Sequence, residues 1–494
     1  MLAAMPVMAA YTGHVYVDKN KNGVFDQSEK PLAGIKVSDG LNVVETAADG
    51  SFTLPGHERE RFIFITTPSG YKTFNRHYHK IEKKQSGYDF GLIPYSGRIR
   101  KNGSHRYIHI ADTEIFNTEN HEDWVNNVRD YARNEQAAFI IHTGDICYEK
   151  GLKAHIKLMN TENMDCPVFY CIGNHDLVKG KYGEELFESI YGPVYYSFDA
   201  GNVHYIVTPM PGGDHAPGYT ADDVCRWLKN DLAHIRPGTP VVVFNHDLLT
   251  YEDAFIFKSK NAGSINLNEH NLKAWVYGHW HINYMKKQGD VYSVCTSSLD
   301  KGGIDHSTTA FRVMHVDSKG DFTSELRYTY LDKNICIASP AGVMASGVLP
   351  VAVNVYSSVS PVKEVLYTCL ADGKPVLKNK RLLQSTDWSW NGELPLSHKY
   401  VGKELTLRVT ARFNNGEIAK AESNFVCRTE KVAPLFSADW DNLLGNAKHS
   451  APASGPLNLP LQLAWTHNVG ANLYMTSPLI HNCLLYTSPS PRDA

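Results

Sequence analysis

Val168-Phe169-Tyr170-Cys171-Ile172-Gly173-Asn174-His175-Asp176 runs five apolar residues straight into a glycine and three polar side chains. An apolar run of that length, closed by a turn signal, reads as a buried strand with a loop at its end. Four more segments have the same shape. Ile108–Ala111 ends in Asp112-Thr113-Glu114, and Phe139–His142 passes through Thr143 into Gly144-Asp145. Pro240–Asn245 ends in His246-Asp247, and Ala274–Tyr277 ends in Gly278-His279-Trp280-His281. Helical patterns lie between them. Thr220 with Asp223 forms a capping-box arrangement ahead of Val224, Trp227, Leu228 and Leu232 at helical spacing. Near Glu122–Arg133, Trp124, Val128 and Tyr131 fall on one side. This alternation predicts an α/β layered sheet over residues 97–332, and ligand groups in open α/β sheets collect where strands end.

Outward from that segment the character changes. Residues 11–96 read as short strands (Gly13–Val17, Ile35–Val37, Val43–Thr46, Phe62–Thr66) separated by Gly, Asp and Asn turns. Residues 335–430 return to β, with alternation in Val351–Tyr356 and Leu405–Ala411 and a turn at Asn414-Asn415-Gly416. The expectation is a multidomain chain: a central α/β domain flanked by two small all-β sandwich domains, 11–96 and 335–430. A length of 494 residues suits about three domains. Residues 431–494 lose the pattern and read as a poorly anchored tail. Asp439-Trp440, Leu463–Thr466 and Thr476-Ser477-Pro478 faintly resemble the opening of a β-propeller that this chain would leave truncated. The first ten residues, MLAAMPVMAA, are either the remnant of a signal peptide lacking its basic start or an unstructured beginning.

The bulk numbers exclude little but are consistent. Net charge is −3 and no long run of Lys and Arg occurs, so no dedicated nucleic-acid-binding surface is expected. No apolar run approaches the roughly 20 residues of a transmembrane segment. Nine cysteines are scattered with no Cys-x-x-Cys spacing, which argues against a zinc knuckle.

The residue types at the five strand ends point to a chemistry. A phosphate ester repels an anionic nucleophile; two cations about 3.5–4 Å apart neutralise that charge and acidify a water. Carboxylates have two oxygens and can bridge cations, while imidazole and amide oxygen complete the shells without adding charge. Mixed His/Asp/Asn donors suit Mn, Fe or Zn better than Ca or Mg. The i, i+2 spacing of His279 and His281 puts both rings on one side of an extended segment, or a loop aims them at different metals. Each motif alone is more often a turn or a satisfied polar group; the five together favour a metal site. His109, His142 and His204 lie within strands and read as hydrogen-bonded core.

These segments resemble the calcineurin-like metallophosphoesterases, whose pattern is Asp-x-His, Gly-Asp, Gly-Asn-His-Asp/Glu, a lone His and Gly-His-x-His. The match runs in order over roughly residues 105–300, and Tyr191-Gly192-Pro193 with Tyr196-Ser197-Phe198 resembles the hairpin that follows Gly-Asn-His-Asp. The resemblance implies a four-layer αββα sandwich. It also implies that Asp145 bridges two divalent transition metals, Asp112 and His281 bind one, and Asn174, His246 and His279 bind the other. His175 would protonate the leaving oxygen, held by Asp176. One position departs from the pattern: Glu114 stands where the family has His. It either ligates, adding a negative charge, or swings away.

Asp18, Asn20, Asn22, Val24, Asp26 and Glu29 fall at the donor positions of a twelve-residue calcium loop, with Gly23 at the turn. The flanks are strands, so the loop resembles the calcium-stapled loops of bacterial surface β-sandwiches; the other reading is a turn satisfied by itself and water. The two β modules resemble those that flank this phosphoesterase type in exported bacterial proteins, which implies a secreted, periplasmic or cell-surface location. The expected function is metal-dependent hydrolysis of phosphate mono- or diesters, as a phosphatase or phosphodiesterase, by direct attack of metal-bridging hydroxide on a phosphorylated small-molecule or macromolecular substrate. The competing expectation is a non-enzymatic exported module that binds glycan or protein and carries a catalytically idle metal centre. Loops 209–220 and 250–270 are expected to wall the site, the second with Tyr251, Phe255 and Phe257.

Overall fold

In a computed structural model, residues 10–429 are described apart from 83, 84, 86, 306, 331, 332, 358 and 386–388, together with 479–481 and 484–486. The expected signal remnant therefore lies outside the described residues except for Ala10. So does the expected tail, except for Leu479–His481 and Leu484–Tyr486, which pair antiparallel. The chain divides into two compact units, Met1–Lys301 with Thr309–Glu325, and Gly302–Thr308 with Leu326–Ala494.

Two sheets frame the site in the first unit. One has the strand order Val168–Tyr170, Phe139–His142, His105–Ile110, Ala310–Val316, Phe322–Tyr328; its first three strands are parallel. The other runs Tyr196–Ala200, Val203–Val207, Val241–Phe244, Leu272–Tyr277, Val291–Cys295, Tyr284–Gln288. Side-chain alternation decides what each face covers. In the first sheet, Ile108, Ile110 and Ile140 join a core with Trp124, Val128 and Tyr131 of helix α1 (Glu122–Asn134) and Leu152 of α2 (Tyr148–Leu158). Their neighbours Tyr107, Phe139 and Ile141 face the other way, into a core shared with Tyr205, Val243, Phe244 and Val276 of the second sheet. That second core also takes in Trp227 and Leu228 of α4 (Ala221–Ala233). The cap read from sequence is present: Thr220 Oγ1 accepts from the Asp223 N–H, and the Asp223 carboxylate accepts from the Thr220 N–H.

The N-terminal strands fall in the same compact unit as the α/β segment. They make two small sheets with a core of their own around Val15, Val37, Leu54, Ile63 and Leu92. Yet Val43, Phe62, Phe64 and Tyr78 belong to the large core, and Thr67 bridges in parallel to Phe198. Burying the second face of this small module against the α/β segment merges the two into one unit. In the second unit, Val348–Ser357 and Ser389–Pro395 in one sheet share a core with Val362–Ala371, Glu404–Phe413 and Ile418–Arg428 in another. Among the described residues, no helix is long and apolar enough to cross a membrane.

Candidate metal centre

All five polar strand ends of the sequence converge at the ends of the parallel strands. Asp112 follows His105–Ile110, Asp145 follows Phe139–His142, and Asn174 and His175 follow Val168–Tyr170. His246 follows Val241–Phe244; His279 and His281 follow Leu272–Tyr277. The turns that aim these side chains are costly ones. Asp112, Glu114, Asp145, Cys147, Tyr148, His279 and His281 all have φ between 43° and 74°, the left-handed region that non-glycine residues seldom occupy. Two glycines allow the loops to touch. A Cβ on Gly173 would lie 2.2 Å from Asp145 Oδ1, and one on Gly278 would lie 2.6 Å from Asp112 Oδ2.

The carboxylates sit at the centre. Asp112 is fully buried and accepts the His279 N–H through both oxygens, at 3.2 and 3.0 Å. Its Oδ1 lies 3.4 Å from His281 Nε2 and 3.9 Å from His246 Nε2. Asp145 accepts the His175 N–H at 3.0 Å with Oδ1, while Oδ2 lies 3.1 Å from His246 Nε2. Asp145 groups within 4.8 Å with His246 and His279, and separately with Glu114 and Cys147. It is the carboxylate common to both sides.

Two buried atoms of these loops have no hydrogen-bond partner: His246 Nε2, beside Asp145, and the amide oxygen Asn174 Oδ1. His246 donates Nδ1–H to the Thr143 carbonyl at 2.7 Å, which leaves Nε2 3.1 Å from Asp145 Oδ2. Orphaned buried polar atoms are rare and call for an explanation. Two orphans among carboxylates and imidazoles are what a cation site looks like, and the donor set fits Mn, Fe or Zn. Burial pulls the His246 imidazole down, but Asp145 and Asp112 push it up to about 10. A proton and a cation compete for that nitrogen. Burial and the nearby His246 hold His279 below its ordinary value. Burial raises Asp112, against the pull of His281.

Glu114 is at the site and does not swing away. Its Oε1 lies 3.5 Å from His281 Nε2, and its Oε2 accepts from Lys301 Nζ at 2.5 Å. Each carboxylate oxygen thus has a separate task, one facing the ligands and one held by a lysine that no motif marked.

The partner of His175 differs from the sequence expectation. Its Nδ1 pairs with Asp214 Oδ2 at 2.8 Å, not with Asp176. Asp176 is fully buried and binds backbone instead, taking the N–H groups of Gly173, Asp145 and Cys147 at 2.9, 2.9 and 2.8 Å. Burial and the neighbouring Asp145 lift it to about 7. It ties the Gly144-Asp145 loop to the Gly173-Asn174 loop. Burial opposes protonation of His175, but the Asp214 hydrogen bond and the Asp145 charge outweigh it and raise this imidazole.

The strand histidines are core, as read. His109 bonds Thr143 and Thr296 at 2.9 Å each, and His142 bonds Thr113 at 3.0 Å. His204 is buried between Asp199 and Asp231, at 2.6 and 2.8 Å. Of the expected aromatic wall, Phe255 is buried and only Tyr251 is strongly exposed, stacked on Trp280. In the N-terminal loop the expected calcium donors bond to one another and to the loop's own backbone. Asp18 accepts from Asn22 and Gly23 N–H, Asn22 accepts from Val24 N–H, Glu29 accepts from Lys19 and Asp26 N–H, and Asp26 accepts from the Asn20 and Asn22 amides.

Two family models match parts of the chain. A family model described as calcineurin-like phosphoesterase matches residues 105–283, a span that holds every candidate ligand from Asp112 to His281. A second, described as the N terminal of calcineurin-like phosphoesterase, matches residues 19–94. No curated protein matches the chain. Similar solved structures include an archaeal phosphodiesterase at 12% identity, covering 45% of this chain and 99% of its own, with a TM-score of 0.23. Others are vacuolar protein sorting 29 of Cryptosporidium parvum (10% identity, 59% and 99% covered, TM-score 0.24) and a purple acid phosphatase from yellow lupin seeds (12%, 80% and 70%, 0.29). At such scores these likenesses carry no argument about activity.

Proposed function

We propose, for a chain that belongs to the calcineurin-like phosphoesterase family, that it hydrolyses phosphate mono- or diesters at a two-cation centre. The observation that carries this reading is the convergence of Asp112, Asp145, His246, His279 and His281 at the strand ends, where His246 Nε2 and Asn174 Oδ1 are buried without a hydrogen-bond partner. Asn174, His246 and His279 would hold one cation, Asp112, His281 and Glu114 the other, and Asp145 both. When bound, two such cations neutralise the phosphate charge and acidify the attacking water.

The protein's own groups supply the rest. With Nδ1 on Asp214, His175 presents Nε2 to the leaving oxygen and can give it a proton as the P–O bond breaks. Such general acid catalysis is typically worth about 10²–10⁴-fold. Asp214 orients the ring. Asp176 holds the backbone of both loops, so that Asn174 and Asp145 keep their places. No side chain at the centre needs to become covalently bound to phosphorus.

Metal analysis with an ester panel tests the reading. The expected result is two transition-metal ions per chain and turnover of aryl and alkyl phosphates that is abolished by a chelator and restored by Mn. Two bound metals with no turnover of any mono- or diester would overturn it and leave an idle metal centre.

A further inference from the structure

Beside the acid lies an aromatic surface that the metal chemistry does not use. Phe116 and Tyr148 are 55% and 44% exposed. Their rings stack, with centroids 6.4 Å apart and planes 15° from parallel. The Tyr148 ring centroid is 5.4 Å from that of His175, and the Tyr148 N–H donates to the His175 carbonyl at 3.0 Å. Lys301 Nζ lies 5.8 Å from the Phe116 ring centroid while it holds Glu114. These side chains form one continuous surface from the acid to the Glu114 edge of the centre.

Exposed aromatic rings are unfavourable in water, and Tyr148 is held there with φ at 55°. Neither ring is needed for the core. The position of the acid says what the surface is for. A group protonated by His175 must come within about 3 Å of its nitrogen. Whatever carbon skeleton that leaving oxygen carries then extends past the imidazole, over Tyr148 and Phe116. Two near-parallel faces accept a flat π-system by stacking and are indifferent to its hydrogen-bonding edge.

Resting on the phosphoesterase reading, we propose that Phe116 and Tyr148 form the leaving-group subsite, and that the preferred substrates are phosphate esters whose leaving group carries a planar aromatic ring, aryl or nucleobase.

The experiment compares 2-phenylethyl phosphate with 2-cyclohexylethyl phosphate on the metal-loaded full chain. The two share a leaving oxygen and have similar bulk, and differ in flatness. The corresponding phosphonates are titrated by calorimetry as a readout free of turnover. The flat ring should be favoured about fivefold in kcat/KM and in Kd. Phe116→Ala and Tyr148→Ala should each shrink that ratio towards one, and Tyr148→Phe should keep it. Equal handling of both esters by the wild type, or a ratio untouched by both alanine variants, would overturn the subsite and leave the phosphoesterase reading standing. Failure of the metal-loaded chain to hydrolyse either ester, or any other in the panel, would overturn both.

Discussion

Replacing Lys301 by methionine should tighten divalent-cation binding. The reason is electrostatic and can be worked from the distances. Asp112 Oδ1 and Glu114 Oε1 lie 3.4 and 3.5 Å from the same His281 nitrogen, so the two carboxylates are no more than about 7 Å apart. At an effective dielectric of about 20, their repulsion is about 2 kcal/mol. Lys301 offsets it by sitting on the outer oxygen of Glu114. The lysine side chain is 46% exposed, so solvent screens part of that effect, and about 1 kcal/mol is a fair share. Without the lysine, the site carries one more unmatched negative charge, and a cation becomes the means of relieving it. Lys301→Met should therefore bind Mn about fivefold more tightly, measured by competition with a chelator of known affinity. In a Glu114→Gln background the same change should have little effect, because the charge it unmasks is gone; the pair of backgrounds makes a double-mutant cycle. Unchanged or weaker binding in folded Lys301→Met, or equal tightening in both backgrounds, would refute the idea that lysine compensates for a glutamate in place of the family histidine.

Two further outcomes are expected. His175→Ala should lower kcat roughly 10²–10⁴-fold with metal content intact; undiminished turnover in the metal-replete variant would remove His175 from the mechanism. The Asp199–His204–Asp231 group, with His204 and Asp231 buried, should make stability fall on the alkaline side. Burial opposes the charge on His204, but Asp231 and Asp199 raise it to about 9, with Lys36 3.6 Å from Asp199. A folded value above the unfolded one near 6.5 gives stability that is fully present below about pH 6.5 and lost as pH rises through about 9, on the order of 3 kcal/mol. Denaturant melts of wild type and His204→Gln at both ends of that window should show the difference between them shrinking as pH rises; a constant difference would show that His204 is neutral throughout.

The elements that could be read from the chain are those whose signal is local. Val168–Tyr170 and Val241–Phe244 are buried on both sides, so they appear as apolar runs, and Thr220 with Asp223 carries its cap in four residues. The helix α2 has no such mark. Its N-cap is Cys147, with φ at 74° and no side-chain cap bond, because its start is shaped by the Gly144-Asp145 loop before it rather than by capping chemistry. The helix α3 (Glu185–Tyr191) is seven residues long and shows too few turns for a periodicity. The merging of the N-terminal strands with the α/β segment was likewise hidden. Whether Phe62 and Phe64 face their own module's core or another is decided by pairing partners far away in sequence.

The same distinction runs through the site. A candidate metal ligand is a particular residue type at a strand end, so chemistry and local geometry coincide, and the structure brings Asp112, Glu114, Asp145, Asn174, His246, His279 and His281 to neighbouring strand ends. The groups that tune those ligands need only reach them. Asp214 orients His175 from a loop 39 residues on, and Lys301 reaches Glu114 across 187 residues. Asp176 shows how adjacency misleads. It follows His175 directly in sequence, which suggests that it orients the imidazole. A buried carboxylate at a tight turn is drawn instead to the nearest unpaired N–H groups, and three of them converge on it. Binding them satisfies donors that would otherwise be buried alone, at a cost of about 1–3 kcal/mol each. That demand leaves Asp176 no reason to turn outward to His175, and the half-exposed Asp214, with no such claim on it, takes the ring. The residue next to His175 in sequence therefore builds the floor beneath it, while the residue that holds its Nδ1 comes from a loop that no motif names.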